Sequence, residues 1–328
     1  MSHVLVVGAT GQLGTAVVRQ LVARGRRVRA LVRPSSDHDH LRISGVELAV
    51  GDLRDRGSLA RACQGATEVI ATANAVIPRG RASFEAVEGQ GYANLIAACQ
   101  GSGVRRFVFM SVPVTPHDDD VPTFRLKRRI EEQLQASGIP YAIVRGSLFM
   151  DDWLTLIGSS IPLRGAEAAT LRRPFWFSRL FLGVVGRLVE SYGIALVPGS
   201  GQARHAFVAL EDVASFLVGA IGLPSARDTI LEVGGPEVLS WDEAVAVFAR
   251  VLGRPVRAVH APAGVFRLQQ RLLQPFSPQA GNLMGMNWLV ATTDSAYEME
   301  ALRREFGISL TSVEQFLQQK LRLPDEAR

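Results

Sequence analysis

Cysteine is scarce in this chain: Cys63 and Cys99 are the only two in 328 residues. Both fall in stretches that read as helix, and neither has a partner at metal-ligand spacing. That excludes a zinc knuckle or a disulfide scaffold and predicts reduced thiols in a core, as suits the cytoplasm. Histidine is thin as well, and the one close pair, His38 and His40, lies in a polar stretch where metal ligation is not expected. No secretory leader is recognisable ahead of the first apolar run, and no internal repeat or low-complexity segment interrupts the chain. The basic excess, +5 with a pI near 9.7, comes from scattered arginines and short clusters such as Arg24–Arg27 and Lys127–Arg129. It lacks the interleaved aromatics of a nucleic-acid surface, so no nucleic-acid partner is expected. What the chain does have is a 47% hydrophobic content and only 20% charged residues, enough for a large core. Its length points to one sizeable domain with a smaller one appended.

The most informative stretch is the first. Val4-Leu5-Val6-Val7 reads as a buried strand and runs into Gly8-Ala9-Thr10-Gly11-Gln12-Leu13-Gly14; a helical pattern follows from Thr15 to Arg24 and stops at Gly25. Strand, glycine turn and helix in this order form a seat for a dinucleotide pyrophosphate. Gly8 permits the tight turn, Gly11 lets the backbone approach the phosphates, Gly14 lets helix and strand pack closely, and the positive end of the helix faces the anion.

Further apolar runs recur at Val28–Val32, Val46–Val50, Glu68–Thr72, Arg106–Ser111 and Tyr141–Arg145. Helical stretches separate them near Leu41, over Leu59–Cys63, Ala82–Gln100 and Phe124–Ala136. The alternation predicts an α/β fold: a doubly wound parallel-sheet Rossmann domain, with ligands at the carboxyl ends of the strands. The second strand ends in Arg33-Pro34, where NAD-binding chains usually carry an acid for the ribose 2′-hydroxyl. An arginine there is suited to a 2′-phosphate, so NADP(H) is expected in preference to NAD(H), the alternative for Arg33 being an ordinary solvated arginine.

Together these elements resemble the atypical short-chain dehydrogenase/reductases, in particular the NmrA-like and isoflavone-reductase-like NAD(P)-binding group. The resemblance covers residues 3–150 well and continues more loosely through 204–214 and 231–235. It rests on the glycine turn, Leu31-Val32-Arg33-Pro34, Gly51-Asp52-Leu53-Arg54-Asp55, Val104–Ser111, and Lys127 with Glu131-Glu132 ahead of Ser137–Arg145. It implies that Gly8, Thr10, Gly11, Gln12, Leu13 and Gly14 hold the pyrophosphate and that Asp52, helped by the Leu53 backbone, meets the adenine. Asp52 could instead be a helix N-cap. Ala73 and Asn74 would lie along the cofactor's ribose, Asn74 serving equally well as a turn residue.

The resemblance also implies a catalytic pair, Ser111 and Lys127, the latter also anchoring the nicotinamide ribose; its alternative is an exposed helix lysine. The usual third member is absent. Four residues before Lys127 stands Thr123, followed by Phe124, and neither can act as the phenolic acid that protonates an alkoxide. Tyr92 and Tyr141 lie elsewhere in the pattern and read as packing residues. This points away from simple ketones and toward a quinone or conjugated enone, where charge spreads over the acceptor. The second reading is a regulator or assembly factor that senses NADP(H) without turnover. His117, in the loop Val112–Pro122 with the acidic run Asp118–Asp120, reads as a surface histidine.

Beyond Arg145 the pattern changes to a smaller C-terminal α/β substrate domain, taken as 151–328, with segments near 204–235 returning to the 1–150 domain. Gly146–Trp153 supplies large apolar groups. Residues 172–189 are apolar and basic, read as a lid over the pocket or as a peripheral membrane contact. A second apolar set, Val265–Leu273 with Phe276, Leu283, Met284, Met286, Trp288 and Leu289, is expected to complete the wall around a small hydrophobic substrate. Ser240 and Glu243 have the spacing of a capping box. Nothing in the patterning specifies an oligomeric state.

Overall fold

The structure is a computed structural model that describes residues 3–74, 84–166 and 183–324. The chain divides into two compact units: residues 1–145 with 213–232, and 146–212 with 233–328.

The first unit is built on a seven-stranded sheet. Its strands are β1 (His3–Val7), β2 (Val28–Val32), β3 (Val46–Val50), β4 (Ala66–Ala71), β5 (Arg106–Ser111), β6 (Tyr141–Gly146) and β9 (Thr229–Val233), in the order β3-β2-β1-β4-β5-β6-β9. Pairings from β3 through β6 are parallel, with Val7 beside Leu31 and Ala71, Val32 beside Val50, and Ser111 beside Arg145. Their carboxyl ends therefore meet along one edge, and the order reverses between β1 and β4, the switch point where such sheets bind ligands. The doubly wound Rossmann architecture expected from the alternation is the one observed.

The flanking helices are α1 (Gln12–Ala23), α2 (Arg56–Cys63), α3 (Gln90–Gly101) and α4 (Pro122–Ala136), together with α7 (Leu210–Gly222). In α4, Pro122 opens the helix, and Leu126, Ile130 and Leu134 at four-residue spacing bury one stripe. Each such side chain contributes about 1.5–3 kcal/mol of burial. The same spacing places Thr123, Lys127 and Glu131 inward, which is the unusual feature of this helix. The core beneath includes Leu5, Leu31, Val69, Tyr92, Phe107, Phe109 and Ile143. Cys63 and Cys99 are unoxidised within it, their sulfurs 3.9 Å apart.

The second unit contains α5 (Met150–Leu156), α6 (Leu188–Tyr192), α8 (Trp241–Leu252), α9 (Ala263–Leu273), α10 (Pro278–Thr292), α11 (Glu300–Phe306) and α12 (Val313–Leu321). Two short two-stranded sheets accompany them: β7 (Ile194–Pro198) runs parallel to β11 (Arg257–Ala261), and β8 (Arg204–His205) antiparallel to β10 (Leu239–Ser240). The expected capping box at Ser240 and Glu243 is present at the start of α8. Trp241, Phe207 and His205 meet edge to face in this unit's core. His205 is bonded to the Ser295 hydroxyl through Nδ1 and to the Val290 carbonyl through Nε2, so Nε2 carries the proton. Burial lowers its pKa to about 4, so the ring is neutral. Much of the 172–189 stretch, residues 172–182, lies outside the described residues. The second apolar set divides: Leu289 is buried, while Val265, Leu268, Leu272 and Phe276 are exposed and line no core.

Candidate functional site

At the carboxyl end of β1 the chain turns at Gly8 with φ +88°, a left-handed conformation that favours glycine. A Cβ on Gly8 would stand 2.5 Å from the Ala73 nitrogen, and one on Gly14 only 2.1 Å from the Gly8 carbonyl oxygen. The turn is thus pressed against the segment leaving β4 and against its own helix, and neither position has room for a side chain. Gly11 is the N-cap of α1, its N–H bonded to Gly8 across 3.0 Å. No side chain caps this helix start and no acid occupies its first turn, so the positive helix end is left for an anion. Thr10, Gly11 and Gln12 are half-buried here, while Leu13 turns into the core. These features fit a dinucleotide pyrophosphate.

Neighbouring strand ends complete the rim. Arg33 follows β2 and its side chain is exposed. Asp52 follows β3. Arg54 engages both of its oxygens, Nε to Oδ1 at 2.9 Å and Nη2 to Oδ2 at 2.8 Å. The Arg54 hydrogen bonds hold the Asp52 carboxyl below its usual range against the opposing effect of burial, and the Arg33 charge adds to them. The N-cap of α2 is Asp55, which accepts from the Gly57 N–H, so the capping alternative for Asp52 does not hold. Leu53 is buried and its carbonyl accepts from Asn94 at 3.1 Å. Beyond β4, Ala73 is half-buried, its carbonyl accepting the Tyr92 hydroxyl at 2.6 Å, and Asn74 is exposed.

The end of β5 carries the polar centre. Lys127 is 2% exposed, which rules out an exposed helix lysine. Its ammonium donates to the Met110 carbonyl at 3.1 Å and lies 4.7 Å from the Phe109 ring centre and 5.6 Å from that of Tyr92. Burial lowers its pKa, while the charges of Glu88 and Glu131 oppose that shift. Thr123, one turn earlier, is fully buried.

Ser111 donates to Glu131 at 2.5 Å. The Glu131 carboxylate also accepts Arg128 at 2.7 Å and Arg145 at 2.5 Å. Arg128 in turn pairs with Asp118 at 3.0 Å and donates to the Val112 and Pro113 carbonyls. The loop after β5 is thereby tied to α4. His117 is half exposed beside Asp120, at 3.5 Å. Among the described residues no His, Cys, Asp and Glu cluster could hold a metal ion.

Glu131 is the member whose role the sequence reading missed. Its signal was present: at four residues beyond Lys127 it must share the buried face, and a buried acid requires a cationic partner. That the partner would be Arg145, on another strand, follows only from the sheet.

The matching family pattern runs over residues 1–317. This chain belongs to the NmrA-like family. The (4-alkanoyl-5-oxo-2,5-dihydrofuran-3-yl)methyl phosphate reductase of Streptomyces griseus is 31% identical to this NmrA-like protein over 77% of its chain and 75% of the relative's. The photosystem II assembly factor Ycf39 of Synechocystis sp. is 26% identical over 97% and 90%. Among solved structures, the NADPH-dependent quinone oxidoreductase of Escherichia coli in complex with NADPH superposes with a TM-score of 0.71, at 18% identity and 97% and 99% coverage, a likeness of fold. Among the described residues, no helix of this NmrA-like protein is long and apolar enough to cross a membrane.

Proposed function

We propose that this NmrA-like protein is an NADP(H)-dependent reductase that transfers hydride to a small hydrophobic acceptor of quinone or enone type, without the usual tyrosine. The observation that carries this reading is the buried Lys127 ammonium at the end of β5, on the same sheet edge as the side-chain-free glycine turn, with Thr123 where a phenol would stand. The reductase of Streptomyces griseus and the NADPH-bound quinone oxidoreductase support it.

The proposed roles follow from the geometry. Gly8, Thr10, Gly11, Gln12, Leu13 and Gly14 seat the pyrophosphate at the start of α1. Arg33 pairs with the 2′-phosphate, which gives the preference for NADP(H) over NAD(H). Asp52 and Leu53 border the adenine, Ala73 and Asn74 the ribose. A bound reduced nicotinamide supplies the hydride. Lys127 anchors the nicotinamide ribose and stabilises negative charge developing on the acceptor, in surroundings dry enough to strengthen that interaction. Ser111 spends its proton on Glu131 and so offers only lone pairs: it positions, and does not protonate. With Thr123 rather than a phenol four residues before Lys127, acceptors that delocalise the incoming charge are favoured. The two reduced, buried thiols support a cytoplasmic setting.

The test is NADPH oxidation by the purified protein against a panel of quinones and enones, with Lys127→Met beside it. Turnover that falls by about 10²–10³-fold in the variant is expected. Tight NADPH binding with no turnover of any acceptor would sink the reductase reading and favour a cofactor-sensing regulator or assembly factor. The Ycf39 relative and the missing tyrosine both lend themselves to that second reading.

A further inference from the structure

Helix α9 is built inside out. The residue it buries is a glutamine, Gln270, at 1% exposure. Large apolar residues face water instead: Val265 is 45% exposed, Leu268 58%, Leu272 61%, and Phe276 just past the helix end 89%. The spacings of three, four and four residues put all four on one face. The opposite side mixes the half-buried Phe266 with Arg267 and the buried Gln270. Arg267 donates to the Gln270 side-chain oxygen at 2.7 Å, and its guanidinium lies 4.1 Å over the ring of Trp288 on α10. A helix meant for water would place these residues the other way round. A contiguous exposed apolar stripe of this kind marks a surface that something covers.

The charge pattern says what covers it. From Ala244 to Thr293 the chain has no aspartate or glutamate, and α9 itself carries Arg267 and Arg271. Arg271 is exposed one turn beyond Leu268, on the flank of the stripe. A second copy of this +5 chain would bring like charge against like. An anionic bilayer offers both an apolar layer and the opposite charge.

We propose that α9 is an interfacial helix that docks this NmrA-like protein on an anionic membrane surface. Val265, Leu268, Leu272 and Phe276 enter the acyl boundary, and Arg271 meets the headgroups. The proposal stands on α9 alone and does not depend on the reductase reading.

The test is co-sedimentation of the full chain with vesicles of phosphatidylcholine alone and of phosphatidylcholine mixed two to one with phosphatidylglycerol. Wild type is expected to bind the anionic vesicles and to release as salt rises. Leu268→Gln/Leu272→Gln and Phe276→Ser are each expected to weaken binding by about tenfold or more, and Arg271→Gln by a few-fold. Because all four positions are solvent-facing, unfolding temperatures should stay near wild type, which separates lost docking from lost folding. Absence of binding to anionic vesicles at low salt would overturn the proposal. So would binding that the α9 variants leave unchanged, which would move the contact elsewhere, for instance to residues 172–182. A concentration-dependent dimer dissolved by the same variants would overturn it in favour of a second copy.

Discussion

Ser111 donates its hydroxyl proton to Glu131 at the carboxyl end of β5, and Glu131 is itself held by Arg128 and Arg145. The serine that the family resemblance pairs with Lys127 is therefore committed to a buried ionic cluster. Ser111→Ala is expected to cost about 1.5–3 kcal/mol, the worth of a buried hydrogen bond to a charged group. Turnover should fall by less than about tenfold, whereas loss of a general acid costs about 10²–10⁴-fold. Urea denaturation and acceptor kinetics on the same variant decide between them.

Gly14→Ala reverses a familiar sign. In an ordinary helix interior this change is worth about 1 kcal/mol in favour of alanine. Here the new Cβ would lie 2.1 Å from the Gly8 carbonyl oxygen, which is backbone and cannot rotate aside. The glycine turn must move, so both the unfolding temperature and nucleotide affinity are expected to drop. A variant as stable as wild type that binds NADPH equally well would contradict the cradle.

The sheet was legible because buried parallel strands leave short apolar runs bounded by glycine or charge. Val28–Val32, Val46–Val50 and Arg106–Ser111 match those runs residue for residue, while β4 begins at Ala66, two residues ahead of the expected Glu68. Of the helix expected over Ala82–Gln100, residues 82 and 83 lie outside the described residues, and Glu85–Gly89 forms a π turn leading into α3. Helix α1 starts at Gln12 rather than Thr15, because the glycine N-cap needs no further turn before it. What stayed hidden depends on contacts distant in sequence. At Asp52 the N-cap alternative to the adenine role stays open until Asp55 is seen to cap α2. In α9, periodicity identifies an apolar face without saying whether it points in or out.

Lys127 pays for its position in stability. Its folded pKa lies below the free value of 10.5 because of burial, so between the two values the unfolded chain binds more protons and stability rises with pH. Below that window the penalty is present in full. Lys127→Met is expected to raise the unfolding temperature at pH 7, with the advantage shrinking as pH approaches 10.5. Thermal melts across that range check it; a variant less stable than wild type at pH 7 would count against the buried charge.

His205 acts at the other end of the pH scale. Its folded pKa of about 4 lies below the free value of 6.5, so protonation favours the unfolded chain. Its neutral form contributes stability present above pH 6.5 and lost as pH falls toward 4. The full loss is on the order of 3 kcal/mol, from the separation of the two values. His205→Gln is expected to flatten the acid limb of the stability profile between those limits, as read by denaturant titration at each pH.

The most direct test of the central claim is a paired fluorescence titration with NADPH and NADH, on wild type and on Arg33→Ala. The account predicts tighter binding of NADPH, and a variant that loses about tenfold or more for NADPH while NADH affinity stays the same, since only the 2′-phosphate meets the guanidinium. Equal affinity for both nucleotides would contradict the role of Arg33, and binding of neither would remove the dinucleotide site altogether.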